Sequence, residues 1–508
     1  MNIRSLSVRP ASSSQHPAEP APSTAAWTLL RTPLTALLAA VILIGLTACA
    51  QNLYKTPEFN FAGRPTPPSR LQQRVMVSLT GNGNNGALQI LDGKRDIRGN
   101  IQNTVPTFSI AGFSGGYPSL ILNFPEQLRG YIYSNQSPYG VGVVNYGTET
   151  STGSAGTFNG PSNSLATSPD FVRLYAAEEL ASELIILDNQ AGGEYVLNLP
   201  NVYKVAVNKG GTVALAMVRN SDTLYRIIKL NANTTVNPPG ATDCQPILLP
   251  VYCVVPVPGN FDRPVDALFS LDGASAYVLN CGQECGGGAH GGAAVSFIPQ
   301  GALQINLLPT STPYPAVVTN TVSVPGGATA AIPDSTSLYI AGQQLQPDGL
   351  YAGNLSTLNL ATLAVSAPVS ISDGTHTKLL FADDNTLWIG SQFCATGERA
   401  SRGQNYNCLT RYDLGKHAAA IIPANVVPGS ATAGATVPYP NGDNNLFYYG
   451  SLTGLCWVQN YHKVYTAYGG QVHAFNTADG TEINNQFITV QGTALDVAYI
   501  DALTNSAN

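Results

Sequence analysis

Short segments with alternating apolar and polar positions recur from about residue 73 to the end of the chain. Each copy has a loop with Asp, Asn or Gly, a strand rich in Tyr, Leu and Val, a polar turn and a second alternating strand. The clearest copies are SLDGASAYVLN (270–280) and VQNYHKVYTAYGG (458–470), the latter followed by QVHAFNTADGTEI. Such alternation over a few residues is typical of β-strands, and turns of the Asp-Gly type connect neighbouring strands tightly.

Eight copies of this unit can be counted, and they predict an all-β fold. The six further copies lie around residues 74–81, 127–136, 168–179, 207–220, 332–342 and 382–391. One small twisted sheet cannot bury both of its faces, whereas a ring of such sheets packs face to face. We therefore expect a β-propeller of seven or eight four-stranded blades, rather than a sandwich.

The two ends of the repeat region predict how the ring closes. The segment 493–500 resembles the first strand of a unit without a second strand, and the chain from Arg74 resembles a unit without its first strand. Pairing these ends completes one blade and removes exposed sheet edges. The expected propeller spans residues 73–501, followed by a C-terminal tail at 502–508.

Composition supports a folded protein and argues against one class of partner. Hydrophobic residues make up 44% of the 508 positions and charged residues only 11%, with a formal net charge of −6. Enough apolar surface is present for burial, so disorder is not expected. A mildly acidic chain lacks the basic surface that phosphate backbones require, so no nucleic acid partner is expected.

The N-terminus has the order of features of an export signal. Arg31 supplies a positive flank, and an apolar run follows over Leu34–Leu46, ahead of the small residues Thr47 and Ala48. This order predicts a signal peptide at 1–48, cut between Ala48 and Cys49. An uncleaved membrane anchor is the alternative, although the run is short for a span of about 20 residues. The polar, proline-containing residues 49–72 predict a flexible tether.

The tetrapeptide Leu46-Thr47-Ala48-Cys49 resembles the lipobox of bacterial lipoproteins. The resemblance implies lipidation of Cys49, palmitate included, and attachment to a membrane through that lipid. Ala50 stands where an Asp would favour retention in the inner membrane, so the resemblance implies the outer membrane of the cell envelope. Several acyl chains would make the attachment stable.

A second resemblance concerns the repeats. The phrases AYVLN (276–280) and VYTAYGGQVHAFNTADG (464–480) resemble the YVTN-type repeats of bacterial β-propeller proteins. The copies in this chain are degenerate, and the resemblance spans most of the mature chain. It implies the fold and leaves the function open.

Seven cysteines follow Cys49, and six of them form close pairs in sequence. In an oxidising envelope such pairs predict disulfides that staple loops. The expected bonds are Cys244–Cys253, Cys394–Cys408 and Cys281–Cys285. Cys456 is left over in an apolar stretch and is expected to be a free, buried thiol.

Other residues that carry chemistry are scattered. Cys281 and Cys285 followed by His290 suggest a metal site only superficially, because zinc usually needs four ligands at familiar spacings. We expect structural or surface roles for the remaining mature histidines: His376, His417, His462 and His473. Asp170, Asp272, Asp334 and Asp384 occupy equivalent turns, where a carboxylate that bonds its own backbone explains them. The run 441–445 lacks the spaced carboxylates of a calcium loop.

These observations favour a binding or scaffold module for an envelope protein or glycan, with no cofactor and no metal. The alternative is a propeller enzyme with a site in the channel, either lactonase-like or dehydrogenase-like. Eight-bladed quinoproteins carry repeated Trp motifs and often adjacent cysteines, whereas the mature chain has only Trp388 and Trp457 and no vicinal cysteines. Because fold alone does not decide function, the side chains lining the axial channel should discriminate between the two.

Overall fold

The computed structural model of the protein describes residues 64–81, 85–97, 108–230, 238–245, 250–308, 317–347, 349–394, 407–424, 449–483 and 488–505. These residues contain eight antiparallel sheets, and each sheet is one blade of a β-propeller. The predicted fold is thus confirmed, with eight blades. Within a blade we call the strands A to D from the innermost strand outwards. Among the described residues, none forms a helix with the length and hydrophobicity of a membrane span.

Blade 1 combines both ends of the chain, and blades 2 to 4 follow in sequence. Blade 1 contains β32 (Thr493–Tyr499), β1 (Arg74–Thr80) and β2 (Gly86–Asp92). Blade 2 contains β3 (Pro118–Phe124), β4 (Arg129–Ser134), β5 (Gly140–Asn145) and β6 (Thr150–Thr157). Blade 3 contains β7 (Ser164–Thr167), β8 (Arg173–Glu178), β9 (Glu183–Asp188) and β10 (Gly193–Asn198). Blade 4 has five strands, β11 (Val202–Val207), β12 (Ala214–Val218), β13 (Leu224–Leu230), β15 (Val251–Pro256) and the outermost β14 (Asp243–Gln245).

Blades 5 to 8 each have four strands in sequence order. Blade 5 contains β16 (Pro264–Phe269), β17 (Ser275–Asn280), β18 (Ala294–Pro299) and β19 (Asn320–Ser323). Blade 6 contains β20 (Gly327–Pro333), β21 (Ser337–Leu345), β22 (Tyr351–Asn359) and β23 (Val369–Ile371). Blade 7 contains β24 (Thr375–Ala382), β25 (Thr386–Gln392), β26 (Leu409–Asp413) and β27 (Ala418–Ile421). Blade 8 contains β28 (Leu452–Val458), β29 (Lys463–Tyr468), β30 (Gln471–Asn476) and β31 (Glu482–Ile483). Short 3-10 helices occupy Pro125–Gln127, Gly282–Cys285 and Gln300–Leu303.

The hydrophobic core lies between blades. Seven of the eight buried clusters of the described residues join apolar side chains of neighbouring sheets, as where Ile186 of blade 3 and Ala216 of blade 4 share one cluster. The eighth lies within blade 4. Alternating side chains of a strand point to opposite faces of its blade. Each of these faces packs against a neighbouring blade. The phrases AYVLN and VYTAY form the B strands of blades 5 and 8, where they are almost entirely buried.

The ring closes as predicted. In blade 1, β1 pairs antiparallel with β32 on one side and with β2 on the other. A segment around Phe108 and Ile110 continues the blade outwards, since Ile90 donates to the carbonyl of Phe108 and Ile110 donates to that of Leu88. The strand β1 is consequently paired on both sides and has no free edge.

Part of the segment predicted to be a tether packs against the propeller. Arg64 donates hydrogen bonds to the carbonyls of Asp501 and Ala502 at 3.2 and 2.7 Å, and Leu71 is buried. Leu71 joins the apolar cluster between blades 1 and 2. The packed part of the chain therefore begins by residue 64, before the predicted start at residue 73, because an apolar side chain and an arginine fix it there. The signal peptide and the start of the tether lie outside the described residues.

Candidate functional site

The inner strands of the propeller share an irregularity that shapes its axis. In seven of the eight A strands of the described chain, the pairing with strand B skips one residue, which is a β-bulge. The skipped residues are Ser119, Tyr203, Val265, Thr329, Thr377, Thr453 and Leu495. A bulge reorients the side chains beside it. The charged residues that follow the bulges form ion pairs between blades.

One such pair joins Lys378 of blade 7 to Asp496 of blade 1. The ammonium lies 3.2 Å from Oδ1 of Asp496, whose side chain is only 2% exposed. That carboxylate also accepts hydrogen bonds from the backbone N–H groups of Ile121 at 2.9 Å and Val497 at 3.0 Å. Asp496 thus ties the inner strands of blades 1, 2 and 7 together, with charge-assisted bonds compensating its burial.

This pair reaches past blade 8 because blade 8 carries a glycine at the equivalent position. A Cβ on Gly454 would lie 2.6 Å from the backbone nitrogen of Val497 and 2.7 Å from Oδ1 of Asp496. Neither distance is compatible with a side chain. The glycine therefore allows β28 and β32 to approach closely beside the ion pair.

A second pair lies on the other side of the ring. Lys204 of blade 4 and Asp266 of blade 5 also follow bulges, and their charged atoms are 3.3 Å apart. Their side chains are 39% and 14% exposed, so this pair is more open to water than the first. Within each pair, the lysine and the aspartate neutralise each other's charge. The inner strands therefore do not present a group of like charges at these positions.

A cavity of about 340 Å³ lies in the channel beside the first pair. Its walls come from the A strands of blades 1, 2, 7 and 8 and from Asn505 of the C-terminal segment. Most lining side chains are apolar, and Lys378, Asp496 and Asn123 are the polar exceptions among the strand residues. The channel thus offers a recess with both apolar and polar walls and one cationic donor.

The histidines do not converge on this channel cavity. His376 lies on the inner strand β24 but is buried, and its Nε2 bonds the carbonyl of Ser372 at 2.8 Å. Burial lowers the pKa of His376 to about 4. His473 is also buried and bonds Glu482, whereas His462 and His417 lie in exposed turns. Within the described residues, no group of three or more His, Cys, Asp or Glu side chains is arranged to hold a metal ion.

The repeated aspartates follow the turn prediction with one exception. Asp170, Asp272 and Asp334 each accept a hydrogen bond from a backbone N–H two residues ahead. Asp384 instead accepts from the Thr477 hydroxyl and bonds His462, both in blade 8. The prediction is wrong for Asp384, because its left-handed backbone with φ of 60° turns the carboxylate towards the next blade.

The structure contains the three disulfide bonds predicted from the sequence. Bonds join Cys244 to Cys253, Cys281 to Cys285 and Cys394 to Cys408. Because Cys281 and Cys285 are bonded to each other, neither offers a thiolate to a metal beside His290. Cys456 is free and buried in β28. Cys49, the predicted lipidation site, the adjoining cleavage position Ala48 and the loop 441–445 lie outside the described residues.

The two ends of the propeller differ in what they expose. We call the end formed by the turns between strands B and C, such as 179–182, the BC face, and the end formed by the A–B turns, such as 270–274, the AB face. Among the described residues of the BC face, five large apolar side chains are exposed, namely Tyr117, Leu180, Leu345, Tyr351 and Phe393. On the AB face the described residues expose two, namely Leu271 and Leu307.

Covalent and polar contacts hold the loops of the BC face. The Cys281–Cys285 and Cys394–Cys408 bonds lie in its B–C loops. Asp262 accepts hydrogen bonds from the backbone N–H groups of Gly288, His290 and Gly292, at 2.8 to 3.1 Å. Burial opposes ionisation of Asp262, but these donors outweigh it and hold the pKa of its carboxyl below the usual value. The glycine-rich loop is thereby fixed in one shape.

Comparison with known proteins supplies likeness of fold only. No protein-family model matches the chain, and no curated protein matches it. Solved structures with a similar fold include hydrazine synthase from Kuenenia stuttgartiensis, at 15% identity over 75% of this chain and 99% of that chain, with a TM-score of 0.44. Dihydro-heme d1 dehydrogenase NirN in complex with DHE matches at 13% identity, over 91% and 86% of the two chains, with a TM-score of 0.48. A putative 6-phosphogluconolactonase from Bacteroides fragilis matches at 13% identity, over 71% and 96%, with a TM-score of 0.40.

Identities at this level do not carry an activity from any of these proteins to this chain. The order of its own sheets establishes the architecture, since eight blades follow one another and the last strand completes the first blade. The chain is an eight-bladed β-propeller.

Proposed function

We propose that this protein is a lipid-anchored protein of the cell envelope whose propeller binds a protein partner through the BC face. The observation that carries the binding role is the concentration of exposed apolar side chains on that face. Leu180 is 83% exposed, Phe393 63% and Leu345 53%. Large apolar side chains grouped at one end of a molecule mark interaction sites, because water contact is unfavourable for them.

The types and positions of these exposed side chains favour a protein partner over a glycan. Leu345 and Tyr351 are cross-strand partners at the tip of the β21–β22 hairpin, whose strands have nine residues each. Phe393 is held outwards by a φ of 62°, and its backbone N–H donates to the hydroxyl of Ser451. Exposed leucines suit an apolar protein surface, whereas a glycan presents many hydroxyl groups that leucine side chains cannot hydrogen-bond.

The direction of the chain suits an anchored receptor. Arg64 contacts the propeller at the AB face, where it bonds Asp501, and β1 begins at the same face. A tether that arrives there leaves the BC face on the far side of the propeller. A partner approaching the BC face therefore does not have to pass the tether.

The anchor is tested by labelling. Cells expressing the wild-type chain, Cys49→Ser and, as a matched control, Cys456→Ser are fed radioactive palmitate. We expect label in the wild type and in Cys456→Ser and none in Cys49→Ser. Label that persists in Cys49→Ser would contradict the anchor and leave the binding face to be judged separately.

The binding face is tested by placing a photo-crosslinking amino acid in living cells at Leu180 or Leu345 of the BC face. Leu271 and Leu307 of the AB face are the matched controls. We expect discrete protein adducts from the BC positions and none from the controls, with loss of the Leu180 adduct when Leu345→Ser and Tyr351→Ser are combined. Equal adducts from both faces, or none, would overturn the proposal. Binding of a purified glycan that the same double substitution abolishes would replace the protein partner by a glycan.

The alternative of an enzyme requires ionisable groups that converge on a substrate in the channel. The charged side chains of the inner strands instead neutralise one another as Lys378–Asp496 and Lys204–Asp266. No described residue of the channel supplies an observation in favour of an enzyme.

A further inference from the structure

We infer that the cavity in the axial channel is a binding site for a small amphipathic carboxylate. Its head group would bond the ammonium of Lys378, and its apolar body would extend towards the AB face. This site is separate from the BC face, so the inference stands independently of the proposed protein partner.

The walls of the cavity define the body of the ligand. Leu122 and Phe124 of β3, Leu379 of β24, Leu455 of β28 and Ala498 of β32 line it. Its volume of about 340 Å³ falls within the range of small-molecule sites, which are mostly apolar with a few placed polar groups. An unbranched alkyl chain or one ring would remove this apolar surface from water.

The polar end of the cavity offers a donor rather than an acceptor. Both oxygens of Asp496 are already occupied, Oδ1 by Lys378 and the N–H of Val497, and Oδ2 by the N–H of Ile121. An ammonium has three donors, and Lys378 directs one of them to Asp496 in the described structure. Its side chain is 28% exposed. The group that completes this site must therefore accept hydrogen bonds.

Among ligand groups that accept hydrogen bonds, the positive charge of Lys378 favours a carboxylate. The ammonium and a carboxylate carry opposite unit charges, so their Coulomb attraction adds to the hydrogen bond, whereas a neutral acceptor gains the hydrogen bond without that attraction. Asp496 can share Lys378 with a ligand carboxylate because two backbone N–H groups also stabilise its charge. A neutral alcohol would gain the apolar contacts but only the weaker bond to Lys378.

Strand direction orients the ligand. Lys378 lies in the middle of β24 and Asp496 in the middle of β32, whereas Phe124 ends β3 at the AB face. Asn505 lines the cavity and bonds Glu126 beyond the end of β3. The carboxylate end thus belongs at mid-channel and the apolar end at the AB face.

The experiment is isothermal titration calorimetry of the full chain with decanoate and with decanol. Wild type is compared with Lys378→Met and with Lys204→Met, a matched removal of an inter-blade lysine outside the cavity. We expect the wild type and Lys204→Met to bind decanoate equally, and Lys378→Met to bind it about tenfold or more weakly, the loss of one charge-assisted bond. Decanol should bind the wild type and Lys204→Met alike, and Lys378→Met should weaken its binding much less than that of decanoate.

A second variant covers the case in which Lys378→Met does not fold. Leu122→Trp keeps the ion pair and fills part of the cavity from a lining residue that is only partly buried, so it should weaken decanoate and decanol together. Three results would overturn the site: no binding of decanoate to the wild type, equal binding by Lys378→Met, or equal weakening by Lys204→Met. The last would mark a general effect of charge rather than a site.

Discussion

Arg74 and Asp501 lie 427 residues apart in the chain and form a forked ion pair, with Nη2 to Oδ1 at 2.7 Å and Nε to Oδ2 at 3.0 Å. Their side chains are 3% and 2% exposed. Arg74 also donates to Glu149 of blade 2 at 2.9 Å. One guanidinium therefore joins the first strand of the chain, the end of the last strand and the neighbouring blade.

Removing this guanidinium should weaken ring closure. Arg74→Met leaves two buried carboxylates without their partner, and breaking a buried pair costs about 3–5 kcal/mol. We expect a loss of that order in the free energy of unfolding, measured by urea denaturation. Arg95→Met is the control, because Arg95 is 67% exposed and its pair with Asp92 should contribute at most about 1 kcal/mol. Equal losses in the two variants would show that the stabilising effect of the Arg74–Asp501 ion pair does not depend on its burial.

Gly454 provides a test of the close approach between blades 8 and 1. In Gly454→Ala the new methyl group meets the backbone of Val497 and the carboxylate of Asp496. Overpacking of this kind costs about 1–3 kcal/mol, so the melting temperature should fall. Gly301→Ala is the matched control, since nothing lies within 4 Å of a Cβ there. An unchanged melting temperature in Gly454→Ala would show that the inner strands can separate at little cost.

Glu178 predicts a dependence of stability on pH. Burial raises the pKa of this fully buried carboxyl to about 7, with Glu183 adding to the shift. The folded state thus binds a proton that the unfolded state releases near pH 4.5, so the free energy of unfolding should fall as pH rises from about 4.5 to 7. In Glu178→Gln, the free energy of unfolding should change less between pH 4.5 and 7. At pH 8 the variant should be more stable than the wild type by roughly 1–3 kcal/mol.

The control for this experiment is Glu194→Gln, which removes an exposed carboxylate near Glu178. It should leave most of the slope in place. If unfolding free energies of the wild type and Glu178→Gln run parallel from pH 4.5 to 8, Glu178 is not the titrating group.

The thiol of Cys456 should be inert in the folded protein. It is buried, and burial raises the pKa of the thiol far above its usual value, while the thiolate is the reactive form. Maleimide followed by peptide mass spectrometry should leave the Cys456 peptide unmodified without urea and modify it fully in urea. The same digest, run without reductant, should contain the peptides of the three bonded pairs. Rapid native labelling of Cys456 would show that β28 opens.

The blades and their closure could be predicted because each depends on local patterns. Alternation marks individual strands, and the incomplete units at the two ends require each other as neighbours. The cysteine pairs are also local, with sequence separations of 9, 4 and 14 residues. Cys281–Cys285 and Cys394–Cys408 lie in loops as expected, whereas Cys244 and Cys253 face each other on the paired strands β14 and β15.

The channel pairs could not be predicted in the same way. Lys378 and Asp496 are 118 residues apart, and they meet only because a bulge reorients each inner strand and Gly454 leaves room between them. Asp384 shows the same limit, since its partners lie in the next blade. Contacts between blades depend on the register of two strands that carry no common sequence signal.

Blade 1 also bears on when the protein can reach its final shape. Its strands β1 and β2 are made first, yet their inner neighbour β32 is the last strand of the chain. Ribosomal synthesis of every other blade therefore takes place while the first sheet lacks a strand. The closed ring cannot exist until Tyr499 has left the ribosome, so its completion is necessarily a late event in the life of the nascent chain.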